Sequence, residues 1–244
     1  MNVVILGASR GIGRALARRL AQRGDRLCLL GRDLDDLRLS ANDLGLRAGA
    51  DAAAVVACDL ADPATFEPAL AQAASALGRV DTVIVTAADF ATQDVLEGNI
   101  SRAHQLLDIN FTATIVFCEV ARTTVLAHGG TLCVLSSVAG DRGRKPVILY
   151  GASKAGLSYY LEGLDHKFRA SGLKVVTVKP GFVKTGMTSG LKPPPFAGEP
   201  DGVAADIVRA IDRGAPVVYT PRIWQLVMLV IKQLPRAVMR RIGF

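Results

Sequence analysis

Three histidines and four cysteines are all that the 244-residue sequence offers to a soft metal ion. Cys28, Cys58, Cys118 and Cys133 stand far apart, each beside apolar residues. They form no C-x-x-C pair, and His104, His128 and His166 keep no ligand spacing with them. That excludes the usual zinc patterns and predicts buried, reduced thiols in a cytoplasmic protein. Aromatic residues are scarce at 5%, with a single tryptophan. The N-terminus lacks the basic start and long apolar segment of a secretory signal. No uninterrupted apolar run approaches the roughly 20 residues that cross a bilayer, the stretch Leu226 to Ile231 included. Acid is missing altogether from residue 213 onward.

That last absence explains the net charge of +7. Residues 1–212 are nearly neutral, whereas Arg213, Arg222, Lys232, Arg236, Arg240 and Arg241 stand unopposed in the last stretch. A basic face for nucleic acid is therefore not expected on the body of the molecule, and no nucleic-acid partner is predicted. Half of the residues are hydrophobic, which excludes a disordered chain and supplies ample core for one large domain.

Short apolar runs alternate with longer amphipathic stretches. Strands are predicted at 2–6, 26–30, 53–58, 82–86, 131–136, 174–179 and 216–219, and helices at about 12–23, 33–44, 62–77, 100–128, 150–171 and 201–213. The strands are apolar on consecutive residues, so both faces should be buried. The expected fold is α/β: a single Rossmann-type doubly wound parallel sheet of about seven strands, helices on both faces, plus a short C-terminal amphipathic helix. Residues 1–221 make the predicted domain, with an irregular, proline-rich substrate loop at 181–200, and 222–244 make an apolar, basic tail.

The first strand runs into Gly7-Ala8-Ser9-Arg10-Gly11-Ile12-Gly13 and then a helix. Glycines there permit a tight turn and close backbone approach to a pyrophosphate, and the helix start supplies amide donors. Gly7, Ser9, Arg10, Gly11, Ile12 and Gly13 are the predicted dinucleotide contacts. The segment also matches the G-x-S-x-G elbow of a serine hydrolase, but no acid and histidine follow in the order a nucleophilic Ser9 needs. The second strand ends at Gly31-Arg32 without an acid to hold a ribose 2′-hydroxyl. Asp33 fits a helix cap better. Arg10 and Arg32, suited to a 2′-phosphate, point to NADP(H).

Farther on come Ser136-Ser137 and Tyr150-Gly151-Ala152-Ser153-Lys154. On a helix, Tyr150 and Lys154 share a face. A free tyrosine is a poor acid near neutrality, and a neighbouring ammonium is expected to favour its phenolate. A serine hydroxyl at the adjacent strand end can hold the oxygen whose charge changes during hydride transfer.

With these motifs on Gly7-x-x-x-Gly11-x-Gly13, Asp59, Asn110, Ser137, Tyr150-x-x-x-Lys154 and Pro180-Gly181, the chain resembles the short-chain dehydrogenase/reductase family over essentially its whole length. The resemblance implies Tyr150 as proton donor, Lys154 as its partner and ribose contact, Ser137 on the carbonyl, and Asn110 supporting a water relay. It implies Asp59 and Leu60 at the adenine, Ala87 as a backbone neighbour of the cofactor, and Pro180, Gly181, Val183 and Thr185 at the nicotinamide. It also implies a homodimer or homotetramer. Where the family has Asn-Asn-Ala-Gly, this chain has Thr86-Ala87-Ala88-Asp89, so the side-chain amides that brace the central strand are expected to be missing.

The tail combines an apolar helix from Arg222 with clustered basic residues, as an interfacial anchor on an anionic surface would, at the inner face of the membrane. A lid over the substrate pocket or an oligomer interface fits the same pattern. The segment 136–145, residues 150–157 and the ending at Leu234-Pro235-Arg236 are similar to the family's keto-sugar reductases of decaprenylphosphoryl-ribose epimerisation, which work beside an oxidase partner. That similarity implies a lipid-phosphate-linked ketone, with Arg142, Arg144 and Lys145 at the phosphate. A soluble, acyl or steroid-type ketone is the alternative substrate, and a non-catalytic dinucleotide-binding scaffold the alternative role.

Overall fold

In the computed structural model, which describes residues 1–48 and 53–242, the strands are β1 (Asn2–Leu6), β2 (Arg26–Gly31), β3 (Ala54–Ala57), β4 (Thr82–Val85), β5 (Thr131–Leu135), β6 (Lys174–Pro180) and β7 (Val217–Thr220). They form one parallel sheet in the order β3-β2-β1-β4-β5-β6-β7. All seven predicted strands are present to within a residue or two. Direction along the sheet reverses between β1 and β4, and this leaves a crevice at the carboxyl ends of those strands.

The helices are α1 (Gly11–Gln22), α2 (Leu34–Ala48), α3 (Phe66–Leu77), α4 (Gln93–Glu97), α5 (Ile100–Leu107), α6 (Thr114–Leu126), α7 (Ile148–Phe168), α8 (Pro200–Arg213), α9 (Ile223–Gln233) and α10 (Arg236–Arg241). Strand pleating divides the core into two layers. Val4 and Leu6 of β1 pack with Phe66, Phe117 and Leu157 from α3, α6 and α7. Val3 and Ile5 pack with Leu16, Leu37 and Ile207 from α1, α2 and α8. Each fully buried side chain of this kind contributes about 1.5–3 kcal/mol relative to exposure. The apolar runs of β1, β2, β4, β5 and β6 are thus buried on both sides, whereas the edge strands β3 and β7 are only partly buried.

The predicted helix at 100–128 differs from the structure in one respect. A π-helical turn, Asp108–Ala113, separates α5 from α6, and Thr114 Oγ1 donates to Ile109 O at 2.7 Å across it. Ile100–Leu126 together is long and apolar enough by composition to span a membrane, but it packs against β4, β5, α3 and α7 as part of the core. The short α4 and several 3₁₀ turns escape prediction because a turn or less shows no period.

The tail folds back over the carboxyl end of the sheet. Trp224, Met228 and Ile231 point inward against Val138, Phe182 and Tyr219, and the Trp224 indole donates to Phe196 O at 3.0 Å. Leu226, Leu229 and Val230 face outward and are more than 60% exposed. Residues 243 and 244 of the predicted tail lie outside the described residues. Two of the cations expected at a phosphate are engaged elsewhere: Arg142 donates to Leu234 O at 2.5 Å and Lys145 to Arg240 O at 2.7 Å. Both meet carbonyls at the C-terminal ends of α9 and α10, where helix dipoles favour cations. On the same loop, Asp141 accepts from Lys179 Nζ and Tyr219 Oη, each at 2.6 Å.

Candidate active site

The glycine turn sits where β1 meets α1. Gly7 has φ +96°, and its amide donates to Leu30 O at 2.9 Å. A Cβ on Gly13 would stand 2.1 Å from Gly7 O, so only glycine lets α1 approach β1 this closely. Helix α1 has no acid in its first turn and no side-chain cap. Its first amides and positive dipole end are thereby left for an anion beside the partly exposed Ser9 and Ile12, and a dinucleotide pyrophosphate fits there.

The brace expected to be missing is present in another form. The Thr86 hydroxyl lies 2.9 Å from Gly7 O and 3.1 Å from Leu6 O and donates to them, while Ala87 N donates to Leu6 O at 3.1 Å. Asn110 clasps the backbone of Asp89, two residues beyond Ala87: Asn110 Oδ1 accepts from Asp89 N and Asn110 Nδ2 donates to Asp89 O, both at 2.7 Å. The Asp89 carboxylate is gripped in turn by Arg102, with Nη2 to Oδ1 at 2.6 Å and a second contact from Nη1. Asn110 is fully buried within the π turn. Thr86, Asp89 and Arg102 were not legible as site residues. A hydroxyl in place of an amide and an ion pair thirteen residues apart carry no motif.

At the second strand's end, Asp33 Oδ1 accepts from the amides of Asp35 at 3.1 Å and Asp36 at 3.0 Å, capping α2. Arg32 is exposed beside it. Arg10 is paired with Asp36 at 2.5 Å, and its side chain is otherwise open to solvent. Asp59, with Leu60 buried behind it, closes a turn onto Ala61 N at 3.0 Å after β3. Pro180 ends β6, Gly181 N donates to Thr220 O at 3.0 Å, and Val183 is buried. The Thr185 methyl lies 3.3 Å from where a Gly11 Cβ would be, so the loop after β6 folds onto the glycine turn.

Ser136 and Ser137 diverge at the end of β5, as strand alternation requires. Ser136 Oγ bonds Lys154 O at 2.9 Å and Ser158 Oγ at 2.7 Å, facing α7. Ser137 Oγ accepts from Ala139 N at 3.1 Å, at the head of a 3₁₀ turn, Val138–Gly140. That turn lies against α7 so closely that a Cβ on Gly140 would meet Lys154 and Ala155 backbone at 2.7 Å. The contact sets Ser137 beside Tyr150. Phe90 packs edge-on against the Tyr150 ring at 5.0 Å between centroids.

Lys154 is 2% exposed and donates to Leu135 O at 3.0 Å, with Nζ 5.9 Å from the Tyr150 ring centroid. Desolvation pushes its ammonium down from 10.5 to about 8. The expected electrostatics at Tyr150 need correction. Burial raises the phenol above its ordinary value, and the opposing influences are the Ser137 hydroxyl and the Arg144 charge, not Lys154. The ammonium donates to the β5 carbonyl.

All four cysteines are free and buried, and burial alone pushes Cys28 to about 12. Among the described residues no group of three His, Cys, Asp or Glu side chains is placed to hold a metal ion. The three histidines are exposed, His104 and His166 on helices and His128 between α6 and β5.

Residues 1–194 match the family model described as short chain dehydrogenase. An uncharacterized oxidoreductase of Mycobacterium tuberculosis is 33% identical over 240 residues, which is 98% of this chain and 96% of that protein. Carbonyl reductase family member 4 of Xenopus tropicalis is 30% identical over 77% of this chain and 78% of its own. Among solved structures, a short-chain type dehydrogenase/reductase from Mycobacterium ulcerans superposes with a TM-score of 0.82 at 19% identity, covering 89% of this chain and 87% of that one. The actinorhodin polyketide ketoreductase solved with NADPH gives 0.79 at 23% identity, over 90% and 95%.

The buried ammonium has a thermodynamic consequence. The folded-state value of Lys154 lies below that of the unfolded chain, so its cost is full below pH 8 and fades as pH rises toward 10.5. Lys154→Met should therefore stabilise the ligand-free protein by about 3 kcal/mol at pH 7. The gain should disappear above the unfolded-state value. Urea denaturation across that range measures both, and a destabilised variant at pH 7 contradicts the assignment.

Proposed function

The chain belongs to the short-chain dehydrogenase/reductase family of oxidoreductases, and from that premise we propose that it is an NADP(H)-dependent reductase interconverting a ketone and a secondary alcohol. The carrying observation is the grouping of Ser137, Tyr150 and Lys154 at the end of β5 and the start of α7, in the row of strand ends that holds the glycine turn. When bound, the cofactor supplies the hydride. Gly7, Ser9, Gly11, Ile12 and Gly13 receive its pyrophosphate on α1's free amides, and Asp59 and Leu60 flank the adenine. Ala87, Pro180, Gly181, Val183 and Thr185 line the nicotinamide end.

Ser137 Oγ then orients the substrate carbonyl and donates to the oxygen as charge develops on it. Tyr150 Oη delivers the proton that makes the alcohol. The Lys154 ammonium has three donors and, among the described residues, one protein acceptor, Leu135 O, which leaves N–H groups for a ribose hydroxyl. Asn110 holds the Asp89 turn, and with it the wall of the cofactor crevice. Arg32, exposed at the tip of β2 with Asp33 engaged in capping, supports a 2′-phosphate and hence NADP(H). Arg10 must exchange Asp36 for that phosphate.

The apolar wall formed by Val138, Phe182, Trp224 and Met228 next to Ser137 supports a lipophilic substrate, a lipid-phosphate-linked keto-sugar among them. The outward stripe of Leu226, Leu229 and Val230, flanked by Arg222, Lys232 and Arg236, supports peripheral contact of the 222–244 tail with an anionic membrane from the cytoplasmic side. The 1–221 body, with its 181–200 loop, carries the chemistry in this reading. Exposed Val116 and Tyr159 on α6 and α7 offer an apolar face to a second copy in a homodimer or homotetramer.

Tyr150→Phe should lower ketone turnover about 10²–10⁴-fold while NADPH binding, read by fluorescence, is kept. Retained turnover rules the mechanism out. Arg32→Ala should weaken NADPH by about tenfold or more and NADH little, and equal losses would remove the 2′-phosphate argument. With anionic liposomes, the full chain should float and a chain ending after Pro221 should not. Identical behaviour would confine α9 to closing the pocket.

A further inference from the structure

The loop from Asp141 to Lys145 carries five residues, of which four bear charge. Three of the four have protein partners: Asp141 with Lys179 and Tyr219, Arg142 with Leu234 O, and Lys145 with Arg240 O. Arg144 is the exception. It begins the 3₁₀ turn Lys145–Val147 that leads into α7, six residues before Tyr150. Its Nε is shielded from solvent and has no hydrogen-bond partner, and among the described residues no carboxylate pairs with its guanidinium. The side chain as a whole is partly exposed, so the rest of the guanidinium is open to an anion from outside, and a shielded N–H without a partner is costly until a ligand satisfies it. The guanidinium lies close enough to Tyr150 for each charge to act on the other, and desolvation disfavours its charged form.

We infer that Arg144 is a substrate-recognition residue, receiving a carboxylate or phosphate carried by the substrate next to the carbonyl that Tyr150 serves. A planar fork of donors suits either anion, and the rigid setting of the loop lowers the entropy of binding. Asp141 is pinned on one side and Arg142 and Lys145 hold the tail on the other, so Arg144 is presented on a nearly fixed backbone. The substrate class narrows from ketones in general to anionic ketones. Among the described residues, Arg144 is the one cation of this loop without a hydrogen-bond partner, which argues for one small anionic group and against the three-cation clamp that sequence similarity implies.

This inference rests on the ketone-reductase reading only for the role of Tyr150, and its test needs no turnover. Titration calorimetry with inorganic phosphate and, separately, with acetoacetate is run on the full chain, with and without saturating NADP⁺. At least one anion should bind at a single site with NADP⁺ present, and the better of the two identifies the group. Arg144→Gln should weaken that binding by about tenfold or more, with Arg144→Lys in between. Arg144→Met should lose it while raising the denaturation midpoint of the ligand-free protein, the opposite sign from a structural arginine. Wild type binding neither anion, Arg144→Gln binding as wild type does, or a lowered midpoint for Arg144→Met each overturns the inference. Failure of the reductase reading is seen separately, in the turnover of Tyr150→Phe.

Discussion

One buried ammonium organises the catalytic end of this protein. Lys154 is nearly inaccessible, and among the described residues its one protein acceptor is the last carbonyl of β5. Its own carbonyl receives the Ser136 hydroxyl, so a single residue of α7 is stitched twice to the end of one strand. That registers the helix against the sheet and puts Ser137 and Tyr150 on the same side of the crevice. The arrangement is destabilising in the ligand-free protein, since desolvation of the ammonium is only partly offset by one carbonyl. Sites that must bind charge commonly carry such a cost, offset by the two-layered core beneath them.

The cofactor side is held together by polar contacts of a different kind. Thr86 ties β4 to the carbonyls of the glycine turn, and Asn110 and Arg102 fasten Asp89 immediately beyond. An amide-rich turn is thereby replaced by a hydroxyl and an ion pair that satisfy the same backbone groups. The π turn at Asp108–Ala113 belongs to this device, because Asn110 within it grips Asp89 through both ends of its amide.

On the substrate side, the tail and the 141–145 loop are one structural unit. Arg142 and Lys145 cap the helices of the tail, and Trp224 closes onto the 181–200 loop through Phe196. The tail's inner face therefore completes the wall behind Ser137, and its outer face remains apolar and basic. The helix of the tail thus has two distinct faces, one packed against Val138 and Phe182 and one exposed through Leu226, Leu229 and Val230.

Sequence alone determined the seven strands, the glycine turn, the cap at Asp33 and the pairing of Tyr150 with Lys154. These follow from local periodicity and from spacings of a few residues, where chain connectivity does the positioning. Tertiary structure alone decided what braces β4, which charge acts on Tyr150, and which of three neighbouring cations is left without a partner. Thr86 and Gly7, Asn110 and Asp89, Arg142 and Leu234 lie 21 to 92 residues apart. Contacts at such separations depend on how layers pack, and desolvation, which sets the balance at Tyr150 and Lys154, exists only once the chain around them is folded.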